Sequence, residues 1–200
     1  INVVFKIMLE NLKKYNIVLA SKSPRRQELL KGIGIEFSVL TKDVDESYSS
    51  EMSVYDVAPF LSLKKAKAFD ADELPENYMV ITADTVVIVD DRILGKPKDT
   101  DDAREMLRLI SGRKHSVITG VTVRTDDKVK TFSVVSKVSF EMLDQDEIEY
   151  YVNTFKPFDK AGSYGIQEWI GYIGVNCVEG SYFNVMGLPT QKLYKMLKTF

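Results

Sequence analysis

The chain has 200 residues, of which 44% are hydrophobic and 28% are charged, and its formal net charge is −2 at pH 7. These values are typical of a soluble globular protein, and they argue against a broad nucleic-acid-binding surface, which normally carries a basic excess. A single cysteine and a single histidine exclude an internal disulfide and a Cys/His zinc site, so the composition favours a reduced, cytoplasmic setting.

Residues 1–15 form an N-terminal extension in our interpretation, either a leader or a short peripheral helix. Charged side chains, among them Lys6 and Glu10, interrupt its apolar residues, so the segment lacks the continuous apolar run of a signal peptide. No stretch of the sequence approaches the roughly 20 apolar residues of a membrane-spanning helix. We therefore expect no membrane partner, and we predict that residues 16–200 form a single domain.

The segment IVLASKSPRRQELLKG predicts a strand, a turn and a helix. Ile17–Ala20 is a short apolar run that is typical of a buried strand. Ser23 is a favourable N-cap residue, and Pro24 suits the first helical position. Gly32 is expected to end the helix.

The first turn of this helix carries Arg25 and Arg26, although a helix N-terminus is already positively charged. Two guanidinium groups are favourable there when a multiply charged anion binds, because the N–H groups, the helix dipole and both side chains then point at one charge. One interpretation is therefore a phosphate site that these arginines form with Ser21 and Ser23. The alternative is a solvent-exposed helix start from which both arginines point outward.

The middle of the chain alternates between strand and helix patterns. In chain order, the predicted elements are a strand over 36–40, a helix over 54–70, a buried strand over 79–89, a hairpin turn over 90–92 that leads into a short strand, and a helix from Asp99 or Thr100 to Ile110. Gly112 is expected to stop the last of these helices.

The rest of the chain continues this mixture. The predicted elements are two or three strands within 116–142 with a turn at 125–128, a helix opened by a capping box of Asp144 and Glu147, a loop over 155–167, strands near 174–178 and 182–185, and a final helix from Pro189. Several connections are too short for helical crossovers, so the sheet should be mixed. The predicted fold class is α/β, with a mixed twisted sheet and flanking helices.

Asp84 is the main candidate for a catalytic residue. It lies within the apolar run 79–89, where an ionised carboxylate without a partner is costly to bury. Beside a polyphosphate, such a carboxylate can bind Mg²⁺ or accept a proton from water. The alternative is a local turn or bulge formed with Thr85. His115 lies between a predicted helix and a strand, so we interpret it as a structural or surface residue rather than a base.

Several further polar residues could contact a nucleotide. Lys65, Lys96 and Lys160 offer flexible charges for phosphate oxygens, although a lysine taken alone is most simply a surface residue. Glu46 is a candidate metal ligand, but its acidic loop can equally be solvated. Gln167 follows two glycines and offers both a donor and an acceptor to a nucleobase.

Taken together, these motifs resemble those of the Maf family of nucleoside triphosphate pyrophosphatases. The motifs, in family order, are LASKSPRRQELL, DVDES, LKKAKA, ITADTVV, LGKPKD, ISGRKHSV, DKAGSYGIQ and GSYFNVMGLP. The resemblance implies hydrolysis of a nucleoside triphosphate between the α- and β-phosphates with a divalent cation, usually Mg²⁺, with Mn²⁺ as the alternative. It also implies an elongated, two-lobed fold similar to that of inosine triphosphatases, with a central cleft, and a homodimer.

The resemblance also implies roles for individual residues. Asp84 matches the proton acceptor and, with Glu46, would bind the metal. The positions that match phosphate-contacting or supporting residues are Ser21, Arg25, Arg26, Glu46, Lys65 and Lys96. Arg25, Thr85 and Gln167 match the specificity positions of the branch that resembles dTTP and UTP pyrophosphatases, and modified pyrimidine nucleotides are further candidate substrates.

Three other functions remain open at this point. The first is a pyrophosphatase for 7-methyl-GTP or another modified nucleotide, although that 7-methyl-GTP branch has Gln directly after the aspartate, where this chain has Thr85. The second is a nucleotide-binding regulator of cell division without relevant catalysis. The third is a nucleic-acid-binding protein, which the net charge disfavours.

Overall fold

The computed structural model describes residues 9–200, and a mixed sheet of seven strands lies at the centre of this part of the chain. The strands are β1 (Asn16–Leu19), β2 (Ser38–Val39), β3 (Tyr78–Val89), β4 (Arg92–Leu94), β5 (Lys114–Arg124), β6 (Val129–Phe140) and β7 (Val175–Glu179). Their order is β2-β1-β3-β5-β6-β7, and β4 pairs with β3. The first three strands in this order are parallel, and the others are antiparallel.

Helices cover both faces of the sheet. They are α1 (Pro24–Gly32), α2 (Val57–Lys67), α3 (Thr100–Ile110), α4 (Gln145–Phe155), α5 (Trp169–Gly174), α6 (Tyr182–Met186) and α7 (Thr190–Leu197). Local signals set several of their starts: the Asp99 side chain caps α3, and Asp144 and Glu147 form the predicted capping box of α4. None of the helices formed by residues 9–200 is long and apolar enough to cross a membrane.

Strand β3 lies at a fork in the sheet. Along one edge it pairs continuously with β5, from Val80 to Ile88. Along the other edge its first part pairs with β1 as far as Ile81, and its last part pairs with β4 from Val87 onward. No strand of the described chain covers the edge between these two points. Residues 82–86 therefore border a cleft.

The hydrophobic core is divided at the same place. One cluster contains β3 residues up to Ala83 with buried leucines of α1 and α7, and another contains β3 from Val87 onward with buried side chains of α3 and α4. A smaller cluster joins α2 to the sheet through Leu61 and Ile88. The two largest parts of the core therefore meet along β3.

The structure corrects two sequence predictions. The strand expected over 182–185 is the helix α6, because the Ser181 side chain caps it and Gly187 ends it with a left-handed φ of 111°. Of the predicted N-terminal extension, residues 1–8 lie outside the described residues. Leu9 and Leu12 are buried in the core beside a 3₁₀ turn at Glu10–Leu12, so this portion is not a peripheral leader.

His115 is a structural residue, as predicted. It is 2% exposed, and its Nε2 lies 2.8 Å from the Tyr164 hydroxyl. Its ring also packs near Phe140, with a centroid separation of 5.7 Å. Burial lowers the pKa of His115 to about 4, so the side chain is neutral at pH 7.

Candidate active site

A cavity of about 680 Å³ lies at the fork, within the size range of small-molecule sites. It brings together every residue that the sequence singled out as a candidate for the site. These residues are Ser21, Ser23, Arg25, Arg26, Glu46, Lys65, Asp84, Thr85, Lys96 and Gln167. They come from six separate segments of the chain, so the fold gathers them into one cleft.

Successive residues of β3 point to opposite faces of the sheet. Asp84 pairs across the sheet with Gly120 on the face covered by α2. Thr85 pairs with Thr119 on the face covered by α6. Because the fork leaves the edge of β3 uncovered, a single ligand in the cleft can reach both faces.

The face toward α2 carries a cluster of charges. Lys65 of α2 donates a short hydrogen bond to Asp84, and its ammonium group also lies 2.8 Å from Glu46 Oε1. Burial alone would raise the pKa of Glu46, but the hydrogen bond and charge of Lys65, together with the charge of Lys96, lower it overall. Glu46 is therefore ionised at neutral pH. Asp84, which is 8% exposed, obtains in Lys65 the partner that its burial requires.

Gly120 of β5 has no side chain, and this allows α2 to approach closely enough to bring Lys65 to Asp84. A Cβ atom on Gly120 would lie 2.3 Å from the Pro59 nitrogen and 2.4 Å from the Ala58 carbonyl oxygen. Since Gly120 is the cross-strand neighbour of Asp84, the helix lies directly over the carboxylate. Gly120 therefore helps to position Lys65, because it leaves room for the backbone of α2.

Arg26 does not point into solvent, which removes the alternative of a solvated helix start. Its Nε donates to the Gly187 carbonyl at 2.8 Å, its Nη1 to the Ala83 carbonyl at 2.7 Å and its Nη2 to Thr85 Oγ1 at 3.0 Å. Burial lowers the pKa of Arg26, and the neighbouring Arg25 lowers it further, while the nearby carboxylates oppose the shift. Arg26 thus joins α1 to the uncovered edge of β3.

Arg25 spans the cleft. Its Nη1 donates to Asp159 Oδ2 at 2.8 Å, so the start of α1 contacts the loop that follows α4. The same carboxylate group accepts a 2.7 Å hydrogen bond from Lys160, which is 8% exposed and also pairs with Glu168 at 3.0 Å. Burial tends to raise the pKa of Asp159, but Lys160 and Arg25 lower it overall. Both arginines in the first turn of α1 therefore have partners.

The turn before α1 contributes two hydroxyl groups to the cavity. Ser21 is 7% exposed, and its Oγ accepts a hydrogen bond from the Ser23 backbone N–H at 3.2 Å. The Ser23 side chain makes no capping bond to α1 within this fully described stretch. Its hydroxyl, at a helix N-terminus, is thus available to an anion.

Sequence reasoning missed residues whose role depends on distant partners. Asp159 was not singled out, although it neighbours Lys160 in the motif DKAG and binds Arg25. Thr119 was also missed. Its connection to the cleft is a hydrogen bond with Thr85, which is 34 residues away in the chain. The local signal for Thr119 is a buried hydroxyl within the largely apolar stretch 117–123 of β5.

The two carboxylates fit a divalent cation that a phosphate ligand helps to bind. Residues 9–200 contain no group of three or more Asp, Glu, His or Cys side chains placed to bind a metal by themselves. Mg²⁺ is commonly held by one or two carboxylates together with substrate phosphates and water. Glu46 and Asp84, which share the Lys65 ammonium group, supply such a pair.

Comparisons with known proteins agree with this geometry. The sequence model of the family described as Maf-like protein matches residues 16–200. A dTTP/UTP pyrophosphatase of Bacteroides fragilis is 53% identical over 192 residues, which cover 96% of this chain and 99% of that protein. Another, from Parabacteroides distasonis, is 50% identical over 194 residues, which cover 96% and 100%.

A likeness to a solved structure bears on the fold alone. A HAM1 protein from Coxiella burnetii has a TM-score of 0.50 and 16% identity, with 93% of this chain and 100% of that chain covered. Together with the mixed seven-stranded sheet of the described residues, this likeness confirms the predicted α/β fold class.

Proposed function

The chain belongs to the Maf family, and on this basis we propose that it is a nucleoside triphosphate pyrophosphatase that hydrolyses dTTP and UTP to the monophosphate and pyrophosphate. Relatives with these substrates in their names align with almost the whole chain. The observation that carries the proposal is the contact of Lys65 with both Asp84 and Glu46 inside the cleft. This contact supports the proposal, because the ammonium group could bind phosphate oxygens while the neighbouring carboxylate of Asp84 accepts a proton.

In the proposed reaction, water attacks the α-phosphorus and transfers a proton to Asp84. The bond from the α-phosphorus to the bridging oxygen breaks, and its electron pair leaves with pyrophosphate. Such a reaction depends on neutralising charge and orienting the water rather than on a protein nucleophile. Lys65, Lys96 and Arg25 supply the positive charge, and Ser21 and Ser23 offer hydroxyl groups to the phosphates.

Glu46 and Asp84 would bind the divalent cation, which we propose to be Mg²⁺, with Mn²⁺ as the alternative. When bound, the cation would neutralise negative charge on the phosphates. Lys65 already contacts both carboxylates, so it has to move or share them when the cation enters. Its flexible four-carbon stem permits this movement.

The other face of β3 would recognise the base. Thr85 and Gln167 both line the cavity and are half-buried, which suits contacts with a pyrimidine edge. Arg25 lines the same cavity and donates a hydrogen bond to Asp159. We propose that these three residues determine the choice of nucleotide.

A panel of nucleotides tests the proposal. We expect pyrophosphate release from dTTP and UTP that requires Mg²⁺, with little release from CTP, GTP or 7-methyl-GTP. Asp84→Asn should reduce turnover by about 10²–10⁴-fold, since it removes the proton acceptor. The matched control is Asp101→Asn, which changes a carboxylate whose side chain is 94% exposed and should leave turnover unchanged.

Three outcomes would contradict the proposal. Retained turnover in Asp84→Asn would remove this residue from the mechanism. A preference for 7-methyl-GTP would assign the chain to another branch of the family, and nucleotide binding without turnover would favour the regulatory alternative.

We also propose that the protein is a cytoplasmic homodimer. Tyr172 is 81% exposed and Phe183 is 46% exposed, and the ring of Phe183 lies 6.0 Å from that of the exposed Tyr182. A second copy of the chain could cover such a group of aromatic side chains. Sedimentation equilibrium at micromolar concentration should give twice the monomer mass, and a monomer at every concentration would contradict this assembly.

A further inference from the structure

A chain of hydrogen bonds runs behind Thr85, on the face of β3 that is covered by α6. Arg26 Nη2 lies 3.0 Å from Thr85 Oγ1, which lies 2.9 Å from Thr119 Oγ1. Thr119 Oγ1 in turn lies 2.9 Å from the Asn184 carbonyl oxygen. The chain thus begins at a guanidinium group and ends at a backbone carbonyl.

The chemistry of the two ends fixes the direction of every bond between them. Arginine has only donors, and a backbone carbonyl has only lone pairs. Thr119 must therefore donate its single hydroxyl proton to Asn184. Thr85 must then donate its own proton to Thr119, while it accepts a bond from Arg26. One lone pair of Thr85 Oγ1 remains for the cleft, and no proton remains.

We propose that Thr119 is a positioning residue that makes Thr85 a hydrogen-bond acceptor toward the cleft and thereby favours uracil and thymine over cytosine. At N3, uracil and thymine carry a proton that can be donated, whereas N3 of cytosine is an acceptor. Where N3 of the base faces Thr85, uracil and thymine would donate a proton to it, whereas cytosine would present a lone pair to the lone pair of Thr85. This inference rests on the proposed function and concerns how the same site selects its base.

The hydrogen-bond chain through Thr85 and Thr119 is rigid, so it can distinguish uracil from cytosine where Gln167 alone cannot. An amide side chain presents a donor or an acceptor according to its rotation. Thr119 and Asn184 are both fully buried, and the Asn184 side chain donates to the Val117 carbonyl and to Ser136 Oγ, each at 3.0 Å. The carbonyl that orients Thr119 is thus held in place, and the polarity of Thr85 is set before a ligand binds.

Removal of the Thr119 hydroxyl tests this inference. In Thr119→Val, the Thr85 proton is released and can turn toward the cleft. We expect the ratio of kcat/KM for CTP to that for UTP to rise about tenfold, the size of one hydrogen bond. Thr119→Ser keeps the hydroxyl and should restore the wild-type ratio, and Thr119→Cys, a weak donor, should give an intermediate value.

The ratio distinguishes this role from a structural one, because partial unfolding would lower turnover of both nucleotides equally. If Thr119→Val does not fold, comparing the CTP-to-UTP ratio of kcat/KM between Thr119→Ser and Thr119→Cys provides the same test. An unchanged ratio in folded variants of an enzyme that prefers UTP to CTP would overturn the inference alone. Failure of the wild-type protein to hydrolyse either UTP or dTTP would instead overturn the proposed function.

Discussion

The two faces of β3 meet the same cleft but are organised differently. On the face toward α2, Lys65 binds the carboxylates of Asp84 and Glu46, so the charged groups are paired with one another. On the face toward α6, Thr85 and Thr119 belong to a hydrogen-bond chain whose direction is fixed. In the proposed function, a triphosphate would therefore have to rearrange the charged face, whereas a base would meet a face whose hydrogen bonds are already arranged. Because successive side chains of a strand point to opposite faces, β3 can present a carboxylate on one face and a hydroxyl on the other.

The largest effect that separates the two faces is expected from Lys65→Met. Loss of the ammonium group removes a positive charge from the proposed phosphate site, so kcat/KM should fall by about 10²–10³-fold for every nucleotide. The ratio between UTP and CTP should stay constant, because the hydroxyl chain is unaffected. Steady-state kinetics with both nucleotides provide the measurement.

Lys64→Met is the matched control for this substitution. Lys64 is the neighbouring residue on α2 and pairs with Asp45 and the Ser47 carbonyl rather than with Asp84. Its activity should remain close to wild type. An equal loss in both variants, or a changed base preference in Lys65→Met, would contradict the division of roles.

A smaller effect is expected from Gly120→Ala, which displaces α2 and with it Lys65. The new Cβ would overlap the backbone of Ala58 and Pro59, and such overpacking typically costs about 1–3 kcal/mol of stability. We expect kcat/KM to fall about tenfold at a temperature at which the variant is folded. Chemical denaturation and kinetics measure the two effects.

Gly32→Ala controls for the loss of a glycine as such. A Cβ at Gly32, the last residue of α1, has no neighbour within 4 Å in the described structure. This variant should keep its stability and activity. If Gly120→Ala behaved in the same way, the close approach of α2 to β5 would have no part in positioning Lys65.

The smallest effect is expected from Asp159→Asn, which weakens the ion pair across the cleft. Asp159 competes with a phosphate for Arg25, so its neutralisation should lower KM for UTP about threefold, within the range of a partly exposed ion pair. Asp43→Asn, which breaks the exposed pair with Lys22, should leave KM unchanged. A higher KM in Asp159→Asn would instead indicate that the ion pair orients Arg25 for the substrate.

Local sequence patterns predicted much of the fold and the membership of the cleft. The capping residues of α3 and α4 and the apolar run of β3 act through their immediate neighbours, so the sequence alone reveals them. Asp84 stood out because a carboxylate in such a run requires a partner. Its partner Lys65 was also among the candidates.

Other features depend on contacts between distant parts of the chain. Arg26 reaches Ala83 and Gly187, which are 57 and 161 residues away, so no local pattern could reveal that its donors bind backbone carbonyls. The fork itself arises from two strands that pair with different halves of β3. The helix α6 was missed because it has only five residues, and Ser181 before it and Gly187 after it were the only local signals against a strand.

The uncovered edge of β3 also bears on how the molecule avoids β-pairing and aggregation with its own copies. A strand edge with free backbone groups is a template on which a strand from another molecule can pair and begin aggregation. At this edge, the guanidinium group of Arg26 binds the Ala83 carbonyl and occupies the position of a missing strand. A charged side chain cannot extend the sheet further. The hydrogen bond from Arg26 to Ala83 therefore also protects the protein against intermolecular β-pairing.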